Sequence, residues 1–595
     1  MRSSAPDLLS ESVSAILRGF QRSQGSSAAA QKTDLSLADW CAANVKIVDR
    51  QQWTLEDNPP LEAIYRDQCQ LDGSHRGMAV IKGAQTRLSV YQFLKQLWRM
   101  ARFSLNIGYY LPDQRMAFAF SGQRFRKIAE TIPALKQQRR GDDTENLQIQ
   151  TFGDSTIYWQ WMGGKATTDA LPLDALVFDE VRKMAIEDVM ETEERLSGNT
   201  RFQFVDFIST AGYPDGDIDF IVKKRSDRRL WHSDCRCPEG VVLSDHFRPE
   251  AIECIREDQH TGEVFYFCQR CNARVNPLRP KVMGEFAGWR PETPGAELRG
   301  YHFPQTISTT VSPASMLRSY RTASAMGGSA MERLFQNKIG KPFVSPDKII
   351  CTLDHLRACE DPTLSWERSG HNYFLGADQM GGSIYAVVKK LLPNMKSQLV
   401  HLAVFEGKDA FDGLYALMRA FDISVAVVDE MINYNEAHKL SMSFPGRVFL
   451  ASYHENDKMI RWLDRDGDIA ADERRSARAI VNPYRVHLDR TKILEWSLKR
   501  YVNRENVIPN PLALCAEMIW EGTRQWVLIC EQVLYTHLTH IVREKEAVGD
   551  ESGGKYRIVF RNIGLDPHFV HSNAYCDAAM ARTERMANVV MAEVV

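Results

Sequence analysis

Two carboxylates end a short apolar run in the first half of the chain, Ala175-Leu-Val-Phe-Asp-Glu180. Such a run, bounded by Pro172 and by charge, is typical of a buried strand in a parallel sheet. Acids at the carboxyl end of this kind of strand lie where open α/β sheets bind ligands. In nucleotide hydrolysis, the first acid would hold Mg²⁺ and the second would orient the attacking water. Because many strands end in acids only where they reach solvent, Asp179 and Glu180 need supporting residues elsewhere.

A candidate anion site follows the predicted strand Met78-Ala-Val-Ile81. The segment Lys82-Gly-Ala-Gln-Thr-Arg-Leu-Ser89 leads directly into a predicted helix, whose free N–H groups and dipole would face an anion. The standard phosphate loop ends in Gly-Lys followed by Ser or Thr. Ser89 occupies the hydroxyl position, but Arg87-Leu88 replaces Gly-Lys and the lysine stands at the start of the loop. The motif by itself would be rejected as a nucleotide site.

Two close cysteine pairs, Cys235-Arg-Cys237 and Cys268-Gln-Arg-Cys271, lie about 30 residues apart. This separation suits a zinc ribbon, in which four thiolates surround Zn²⁺ tetrahedrally. The first pair is one residue shorter than the usual C-x-x-C spacing. His232 or Cys254 could therefore replace one ligand, or the hairpin could lack metal. A zinc ion here would be structural or would support DNA contact, and it would not be catalytic.

Two further predicted strands end in acids in the second half of the chain, at Asp378 and at Asp429-Glu430. The predicted order of three strands, helix, strand, helix and strand is that of an RNase H-like domain, whose first and fourth strands are neighbours. Carboxylates this close repel each other unless cations separate them. Two Mg²⁺ or Mn²⁺ ions about 4 Å apart would stabilise both the attacking and the leaving oxygen of a phosphodiester. Asp378 and Asp429 are therefore candidate metal ligands, with Glu430 as an alternate.

Composition and length limit the other possibilities. A chain of 595 residues is too long for one core, so two or three domains are expected. With 74 basic and 76 acidic residues, net charge does not indicate a nucleic-acid partner, although a local basic channel stays possible in such a protein. No uninterrupted apolar stretch reaches the length of a membrane span, and the N-terminus lacks the apolar core of a signal peptide. The sequence predicts a cytoplasmic protein without a disulfide framework.

The elements that position these residues also follow from the pattern. From residue 35 to about 210, short apolar runs alternate with amphipathic segments, which predicts a mostly parallel sheet with helices on both faces. Residues 1–34 are rich in Ser, Ala and Gln. Their amphipathic part near Leu8 to Phe20 would be either a mobile arm or a docking helix for a partner subunit.

A lysine at the start of a phosphate loop resembles the deviant loop of large terminase subunits, the genome-packaging motors of tailed bacteriophages. Other segments resemble that family, in the order it requires, and the resemblance covers about residues 35 to 590. Two of them look like linker signatures of its GpA-like branch, Gly300-Tyr-His-Phe-Pro-Gln305 and Phe335-Gln-Asn-Lys-Ile-Gly-Lys-Pro342. Gly163-Gly-Lys-Ala-Thr-Thr168 looks like part of the approach to the acidic strand.

The resemblance implies a role for each residue around the loop and the first acid pair. Lys82 and the loop amides would hold the β- and γ-phosphates of ATP. The residues that supply these contacts would be Lys82, Gly83, Ala84, Gln85, Thr86, Arg87, Leu88 and Ser89. Ser89 and Asp179 would hold Mg²⁺, and Glu180 would orient the attacking water.

Two further functions are implied for this half. Ile208-Ser-Thr-Ala-Gly212 looks like the coupling motif, so Ser209 and Thr210 would relay hydrolysis to movement. An arginine must also offset the charge that develops on the γ-phosphoryl group. Arg87 is the first candidate for this arginine; the weaker ones, which could act on a neighbouring subunit, are Arg124 and Arg126.

For the second half, the resemblance implies a nuclease whose third acid is Asp577, with His571 as a possible accessory group. Cofactors would be ATP, Mg²⁺ or Mn²⁺ with two ions at the nuclease site, and Zn²⁺ if the cysteine pairs bind metal. The implied partners are double-stranded DNA, the portal protein, the small terminase subunit and further copies of this chain in a ring of about five, with no membrane. The chain would act in the host cytoplasm, docked transiently on the procapsid portal and absent from the mature virion.

The predicted fold class is α/β, with an N-terminal P-loop ATPase, a zinc-ribbon-like insertion and a C-terminal RNase H-like nuclease. The predicted domains are an arm (1–34), the motor (35–220), the insertion and linker (221–345), and the nuclease with its C-terminal helix (346–595). Two alternatives stay open at this point. One is a helicase or repair ATPase with a nuclease domain, and the other is an assembly subunit whose phosphate loop is catalytically dead.

Overall fold

The computed structural model describes residues 33–583 apart from 49–50, 68–74, 139–146, 163–172, 199–201, 456–457, 465–481, 521–522, 548–555 and 565. The predicted helix near residues 8–20 and the glycine-rich segment at 163–168 lie outside the described residues. The chain divides into two compact units, Met1–Ser345 and Pro346–Val595. The second unit begins where the predicted nuclease domain begins. Among the helices described, none combines the length and the hydropathy needed to cross a membrane.

The first unit alternates strands and helices. Its strands are, in chain order, β1 Ile47–Val48, β2 Gln51–Gln52, β3 Gly77–Lys82, β4 Asn106–Leu111, β5 Ile149–Phe152, β6 Ser155–Trp161, β7 Ala175–Asp179, β8 Phe204–Ser209, β9 Arg229–Trp231, β10 Ile255–Glu257, β11 Val264–Phe267, β12 Arg274–Val275, β13 Val282–Met283, β14 Phe286–Ala287, β15 Trp289–Pro291 and β16 Leu298–Phe303. Its helices are α1 Leu37–Asn44, α2 Pro59–Arg66, α3 Leu88–Arg102, α4 Gln114–Phe118, α5 Arg126–Glu130, α6 Pro133–Gln138, α7 Ile186–Glu193, α8 Asp217–Arg225, α9 Pro313–Met326 and α10 Gly328–Leu334.

One mostly parallel sheet organises this unit. Within the described residues its strand order is β15-β9-β16-β3-β8-β7-β4-β6-β5. The edge pairs β15–β9 and β5–β6 are antiparallel and the inner pairs are parallel. Strands β3 and β7 are buried along their whole length, which explains why both read as continuous apolar runs. The predicted α/β class with a mostly parallel sheet is confirmed.

Strands from the predicted insertion complete this sheet. β16 pairs in parallel with β3 over six residues, from Leu298 beside Gly77 to Phe303 beside Lys82. β9 and β15 extend the sheet beyond β16. The predicted domain boundary after residue 220 therefore cuts through the large sheet of the first unit. Pairing between segments more than 200 residues apart leaves no local signal in the sequence.

A buried charged cluster fixes helix α3 to the sheet. Asp206 on β8 accepts hydrogen bonds from Lys95 at 2.8 Å, Arg99 at 2.8 Å and Gln92 at 3.0 Å. All four side chains are almost fully buried. These cations outweigh the effect of burial and lower the pKa of Asp206 well below its usual value. Because α3 follows the phosphate loop directly, the cluster also holds that loop in place.

The second unit is built around a mixed sheet. Its strands are β17 Tyr373–Met380, β18 Ser383–Leu391, β19 Ser397–Glu406, β20 Val425–Asp429, β21 Val448–Tyr453, β22 Ile460–Trp462, β23 Arg485–Leu488, β24 Asn506–Val507, β25 Cys515–Trp520, β26 Thr523–Leu528, β27 Ile541–Ala547 and β28 Tyr556–Asn562. Its helices are α11 Leu353–Arg357, α12 Ala410–Ala420, α13 Tyr434–Ser443, α14 Arg490–Val502, α15 Tyr535–Thr539 and α16 His568–Ala581.

The strand order in this second sheet is β22-β23-β21-β20-β17-β18-β19-β24 among the described residues. β17, β18 and β19 form an antiparallel meander, while β20, β21 and β23 continue in parallel from β17. This is the predicted RNase H-like order, with the first and fourth strands adjacent. Helix α16 packs directly on β17 at Gly376, where a Cβ atom would lie 2.0 Å from the carbonyl oxygen of Ser572. Glycine is therefore required for this close approach.

Candidate active sites and metal centre

Three parallel strands of the first unit end at one edge of the sheet. β8 lies between β3 and β7, and the registers place Ile81 beside Ser209 and Asp179 beside Ile208. Lys82 and Glu180 come next along their strands, so they emerge at the same edge. The sheet topology thus brings together residues that are about 100 positions apart in the sequence.

The amino group of Lys82 is the centre of this arrangement. Its Nζ lies 3.1 Å from Ser89 Oγ, 3.1 Å from Glu180 Oε1 and 3.7 Å from Asp179 Oδ1. The lysine and Asp179 are both buried. The loop lysine, the loop serine and both strand acids therefore occupy one site, as the sequence predicts.

Burial and charge compete around this amino group. Burial favours the neutral amine, but the carboxylates of Asp179 and Glu180 outweigh it and raise the pKa of Lys82. Burial also disfavours ionised Glu180, but the charge of Lys82 prevails and lowers the pKa of Glu180. Both groups are charged at neutral pH, so a cationic donor for phosphate oxygens stands beside an ionised acid.

The first two amides of the loop are already engaged, which corrects the predicted phosphate contacts. The N–H of Gly83 donates to the Phe303 carbonyl at 2.7 Å, and that of Ala84 donates to the Asn337 carbonyl at 2.6 Å. A Cβ at Gly83 would lie 2.8 Å from the carbonyl oxygen of Lys338. The candidates for binding an anion are therefore the N–H groups in the later part of the loop, residues 85–89.

This later part has an uncommon backbone. Gln85 and Arg87 both adopt positive φ, at 59° and 66°. Thr86 is buried between them, and its hydroxyl donates to the Gly83 carbonyl at 2.8 Å. Alternating left-handed residues in a loop before a helix turn successive N–H groups toward a common point, which is the geometry of an anion nest. Strain of this kind at non-glycine residues is typical of functional sites.

Oxygen atoms of the acids and hydroxyls at this edge are candidate ligands for a cation. Tyr109 donates its hydroxyl to Asp179 Oδ2 at 2.8 Å, while Asp179 Oδ1 is buried and, in the part of the chain that is described, has no hydrogen-bond partner. The hydroxyl of Thr210 is buried in the same way. Ser209 Oγ instead accepts the N–H of Arg182 at 3.1 Å. Asp179 Oδ1 and the Ser89 hydroxyl both lie beside Lys82 Nζ, and oxygen ligands of this kind fit a hard cation such as Mg²⁺.

The candidate arginines take different positions. Arg87 caps the start of α3 and is half-buried. Arg124 lies 5.3 Å from the ring centres of Phe93 and Phe120, and its charge reaches Lys82 and Asp179. Arg126, by contrast, forms a partly exposed pair with Glu130 at 3.9 Å, one turn along its helix. The structure therefore places Arg124 beside the acid site of its own chain.

Four cysteine sulfurs converge on the small β10–β11–β12 sheet. Those of Cys235, Cys237, Cys268 and Cys271 all lie within 4.8 Å of one another. Backbone N–H groups outweigh burial at Cys271 and lower its pKa to about 6. A set of four thiols that includes an easily ionised one fits Zn²⁺.

The two alternative ligands for this metal centre form hydrogen bonds with backbone carbonyls instead. His232 Nδ1 lies 2.8 Å from the carbonyl oxygen of Glu239, and Cys254 donates its thiol to the Leu243 carbonyl at 3.6 Å. The shortened first cysteine pair therefore closes the cluster without a substitute residue.

A second acid pair lies in the second unit. β17 and β20 pair in parallel with Ala377 beside Val428, so the next residues in that register are Asp378 and Asp429. Burial raises the pKa of Asp378. Burial and the charge of Asp378 together raise the pKa of Asp429 to about 7. Two neighbouring carboxylates that resist ionisation fit divalent cations, which would remove this repulsion.

Two further polar residues at this site are absent from the sequence-based prediction. His568 Nδ1 lies 2.7 Å from Asp378 Oδ2, and its buried Nε2 lies 3.6 Å from Asp566 Oδ2. Burial opposes protonation of His568, but the hydrogen bond and charge of Asp378 prevail and raise its pKa. The signal in the sequence was Asp566-Pro-His568 at the start of the last helix, where side chains reach the carboxyl ends of the strands.

The predicted third acid, Asp577, does not belong to this site. Its carboxylate is fully buried, 2.7 Å from Lys389 Nζ, and accepts the Ser497 hydroxyl at 2.6 Å. Nine residues separate it from His568 on α16, which is about 13 Å along the helix. Asp577 is therefore part of a buried ion pair in the core. The acid that lies near the Asp378–Asp429 pair is instead Asp566, 3.6 Å from His568 Nε2.

The other predicted accessory residues are also occupied. Glu430 pairs with Arg485 at 3.2 Å. His571 Nδ1 lies 2.7 Å from the Tyr453 hydroxyl, and burial lowers the pKa of His571 to about 3. Glu430 thus anchors a loop, and His571 is a neutral core residue at neutral pH.

Comparisons with known proteins give similar structures. The chain is similar to the large terminase of bacteriophage HK97, at 13% identity and a TM-score of 0.46, over 92% of this chain and 100% of that one. It is similar to the large terminase of a thermophilic bacteriophage in complex with ADP, at 13% identity and a TM-score of 0.27, over 84% and 94% of the two chains. The nuclease domain of the large terminase subunit gp2 of bacterial virus Sf6 matches at 14% identity and a TM-score of 0.24, over 38% and 97%. No family model and no curated protein matches.

Proposed function

We propose that this chain is a large terminase subunit, in which ATP hydrolysis drives double-stranded DNA into a procapsid and a metal-dependent nuclease cuts that DNA. The observation that carries the proposal is the Lys82 amino group in contact with Ser89, Asp179 and Glu180 at the carboxyl edge of a parallel sheet. With these contacts, a lysine from the start of the loop would serve as the phosphate-binding lysine. The second unit adds an acid pair suited to phosphodiester cleavage.

In the first unit, the residues divide the work of phosphoryl transfer. Lys82 and the N–H groups of residues 85–89 would bind the β- and γ-phosphates, and Glu180 would orient the attacking water. The cation held by Ser89 and Asp179 would neutralise charge on the phosphates. Arg124 is the arginine best placed to offset charge on the γ-phosphoryl group. The buried hydroxyl of Thr210 would sense that group as the coupling residue.

In the second unit, the acids would hold the metal ions of the nuclease. Asp378 and Asp429 are the central ligands, and Asp566 is a third acid at the edge of the site. Two Mg²⁺ or Mn²⁺ ions would activate the attacking water and stabilise the leaving oxygen. His568 would orient the carboxylate of Asp378, as outer hydrogen-bond partners of metal ligands do.

The proposed partners follow from this function. They are double-stranded DNA, the portal protein, the small terminase subunit and other copies of the chain in a ring of about five. The chain would act in the host cytoplasm, docked transiently on the procapsid.

Two single substitutions in the full chain test the proposal. Lys82→Ala should reduce ATP hydrolysis by at least about a hundredfold and leave Mn²⁺-dependent nicking intact, because a charged contact to the transferred group is lost. Asp378→Asn should abolish nicking and leave hydrolysis intact. A catalytically dead assembly subunit is the correct alternative if the unmodified chain hydrolyses no ATP. If it separates the strands of a tailed duplex, the helicase alternative is correct.

A further inference from the structure

Large apolar side chains surround the acid pair of the second unit and face solvent. Met431 is 63% exposed and Ile432 is 62% exposed, immediately after Asp429 and Glu430. Met380 is 45% exposed and lies two residues after Asp378, hence on the same face of β17. Single exposed apolar residues need no explanation, but three that border one catalytic-type acid pair form a patch.

The loop that carries two of them is held firmly. The buried amide of Gln379 donates to the Asp429 carbonyl at 2.6 Å and accepts the N–H of Asn433 at 3.1 Å, so one side chain ties both ends of the loop. Inside it, the Met431 N–H donates to Asp429 Oδ1 at 3.2 Å. The ion pair with Arg485 holds Glu430, the first residue of the loop after Asp429. The backbone that carries the exposed side chains is therefore held in place.

The tip of the loop is strained. Ile432 has φ of +75°, a conformation that β-branched residues almost never adopt. Glycine or asparagine would fill this position without the steric cost. A strained residue whose side chain contacts mostly solvent gains nothing from packing in the folded chain. This combination is typical of a site that contacts a ligand.

We propose that Met380, Met431 and Ile432 form an apolar wedge that enters a groove of double-stranded DNA and partly unstacks one base step beside the scissile phosphate. This inference rests on the proposed nuclease function, because the acid pair fixes where the phosphodiester lies. Methionine and isoleucine are side chains that DNA-bending proteins insert between base pairs. The unstacking and the bend would bring the backbone toward the acids, which repel phosphate until cations are bound.

DNA is the occupant that the position of the patch favours over another protein. The patch continues directly from Asp378 and Asp429, so any polymer cut at these acids must cross it. The hydrogen bonds of the loop already order its backbone, so only side-chain freedom is lost when the wedge inserts. A second copy of the chain or a partner protein on this patch would block access to the acids.

The test uses the full chain and a 30-base-pair duplex that carries 2-aminopurine, whose fluorescence rises when it is unstacked. The unmodified chain should raise this fluorescence in Ca²⁺. The double substitution Met431→Ala with Ile432→Ala should lower the rise at least fivefold and reduce Mn²⁺-dependent nicking about tenfold. Met442→Ala, at a residue that is 48% exposed on α13, is the matched control and should change neither measurement.

A single variant separates a DNA contact from a structural role. Ile432→Gly removes the side chain and also the strain, so the melting temperature should equal or exceed that of the unmodified chain while unstacking falls. A lower melting temperature with unchanged unstacking would overturn the wedge.

The nicking and unstacking measurements distinguish a failure of the wedge proposal from a failure of the proposed nuclease function. If the unmodified chain nicks DNA but the double variant nicks it equally well without unstacking, the wedge is wrong and the nuclease stands. If the double variant instead changes the oligomeric state and leaves nicking unchanged, the patch is a protein contact. If the unmodified chain neither nicks nor unstacks DNA, both proposals fail.

Discussion

At the scale of single residues, the two sites use different side chains to offset their acids. The first unit uses a lysine and the second a histidine. In the first unit, Lys82 reaches two acids and a hydroxyl, and its charge lowers the pKa of Glu180. In the second unit, His568 lies between Asp378 and Asp566. Both arrangements offset buried negative charge, which would otherwise cost several kcal/mol per uncompensated group.

The position of His568 leads to a residue-scale prediction. His568→Ala should weaken Mn²⁺ binding by about 10–100-fold, because the Asp378 carboxylate loses the partner that orients it. His568→Asn keeps a donor near the position of Nδ1 and should recover part of the affinity. Isothermal titration of Mn²⁺ against the full chain measures both variants. Equal affinity for the alanine variant and the unmodified chain would show that the histidine does not position the acid.

At the scale of elements, the cysteine cluster lies beside a small sheet that contributes Ile255, Tyr266 and Val275 to a hydrophobic cluster. Strands β10, β11 and β12 contain only two to four residues each. Such short strands bury little apolar area, so a metal centre would supply much of their stability. Cys254 is buried nearby and lies outside the cluster of four thiols.

The element-scale prediction concerns metal content. Purified protein should contain about one zinc ion per chain, since the described residues bring four cysteine sulfurs together in one cluster. Cys271→Ser should remove the zinc and expose the β10–β11–β12 sheet to proteolysis, whereas Cys254→Ser should keep it. Elemental analysis of the three proteins checks this. Zinc retained after Cys271→Ser, or lost after Cys254→Ser, would assign the ligands differently.

At the scale of the whole molecule, the chain consists of two compact units with separate cores. The Asp206 cluster stabilises only the first unit. Because the pKa of Asp206 is lower in the folded chain than in the unfolded chain, the cluster contributes its full stability at pH values above the usual pKa of an aspartate. This stability is lost as the pH falls through the lower pKa of the folded chain. Acid should therefore destabilise the first unit through this group.

Asp206→Asn tests both the cluster and the division of the chain. Leaving Lys95 and Arg99 buried without their anion should cost about 3–5 kcal/mol. Calorimetry at neutral pH should show one transition moved to lower temperature, while Mn²⁺-dependent nicking at 25 °C stays unchanged. The stability lost on acidification should also be smaller in the variant. A single transition that shifts as a whole would mean that the two units unfold together.

The sequence by itself determined features with a local signal. Buried strands read as apolar runs, so β3, β7, β17 and β20 and the acids at their ends were predictable, as were the α/β class and the RNase H-like order of the second half. The four cysteines were identified from spacing, and the loop lysine was identified from the resemblance to the deviant phosphate loop of large terminase subunits. Residue type and local periodicity carry this information because burial is decided strand by strand.

Only the tertiary structure decided which of these residues meet. The start of helix α16 brings His568 to the acid pair, with Asp566 just before the helix, whereas Asp577 reaches Lys389, because nine residues of helix separate His568 from Asp577 by about 13 Å. β16 joins the large sheet of the first unit through pairing with a strand more than 200 residues away, and the carbonyls of Phe303 on β16 and of Asn337 accept the N–H groups of Gly83 and Ala84. Contacts between distant segments depend on packing, which no single stretch of sequence encodes.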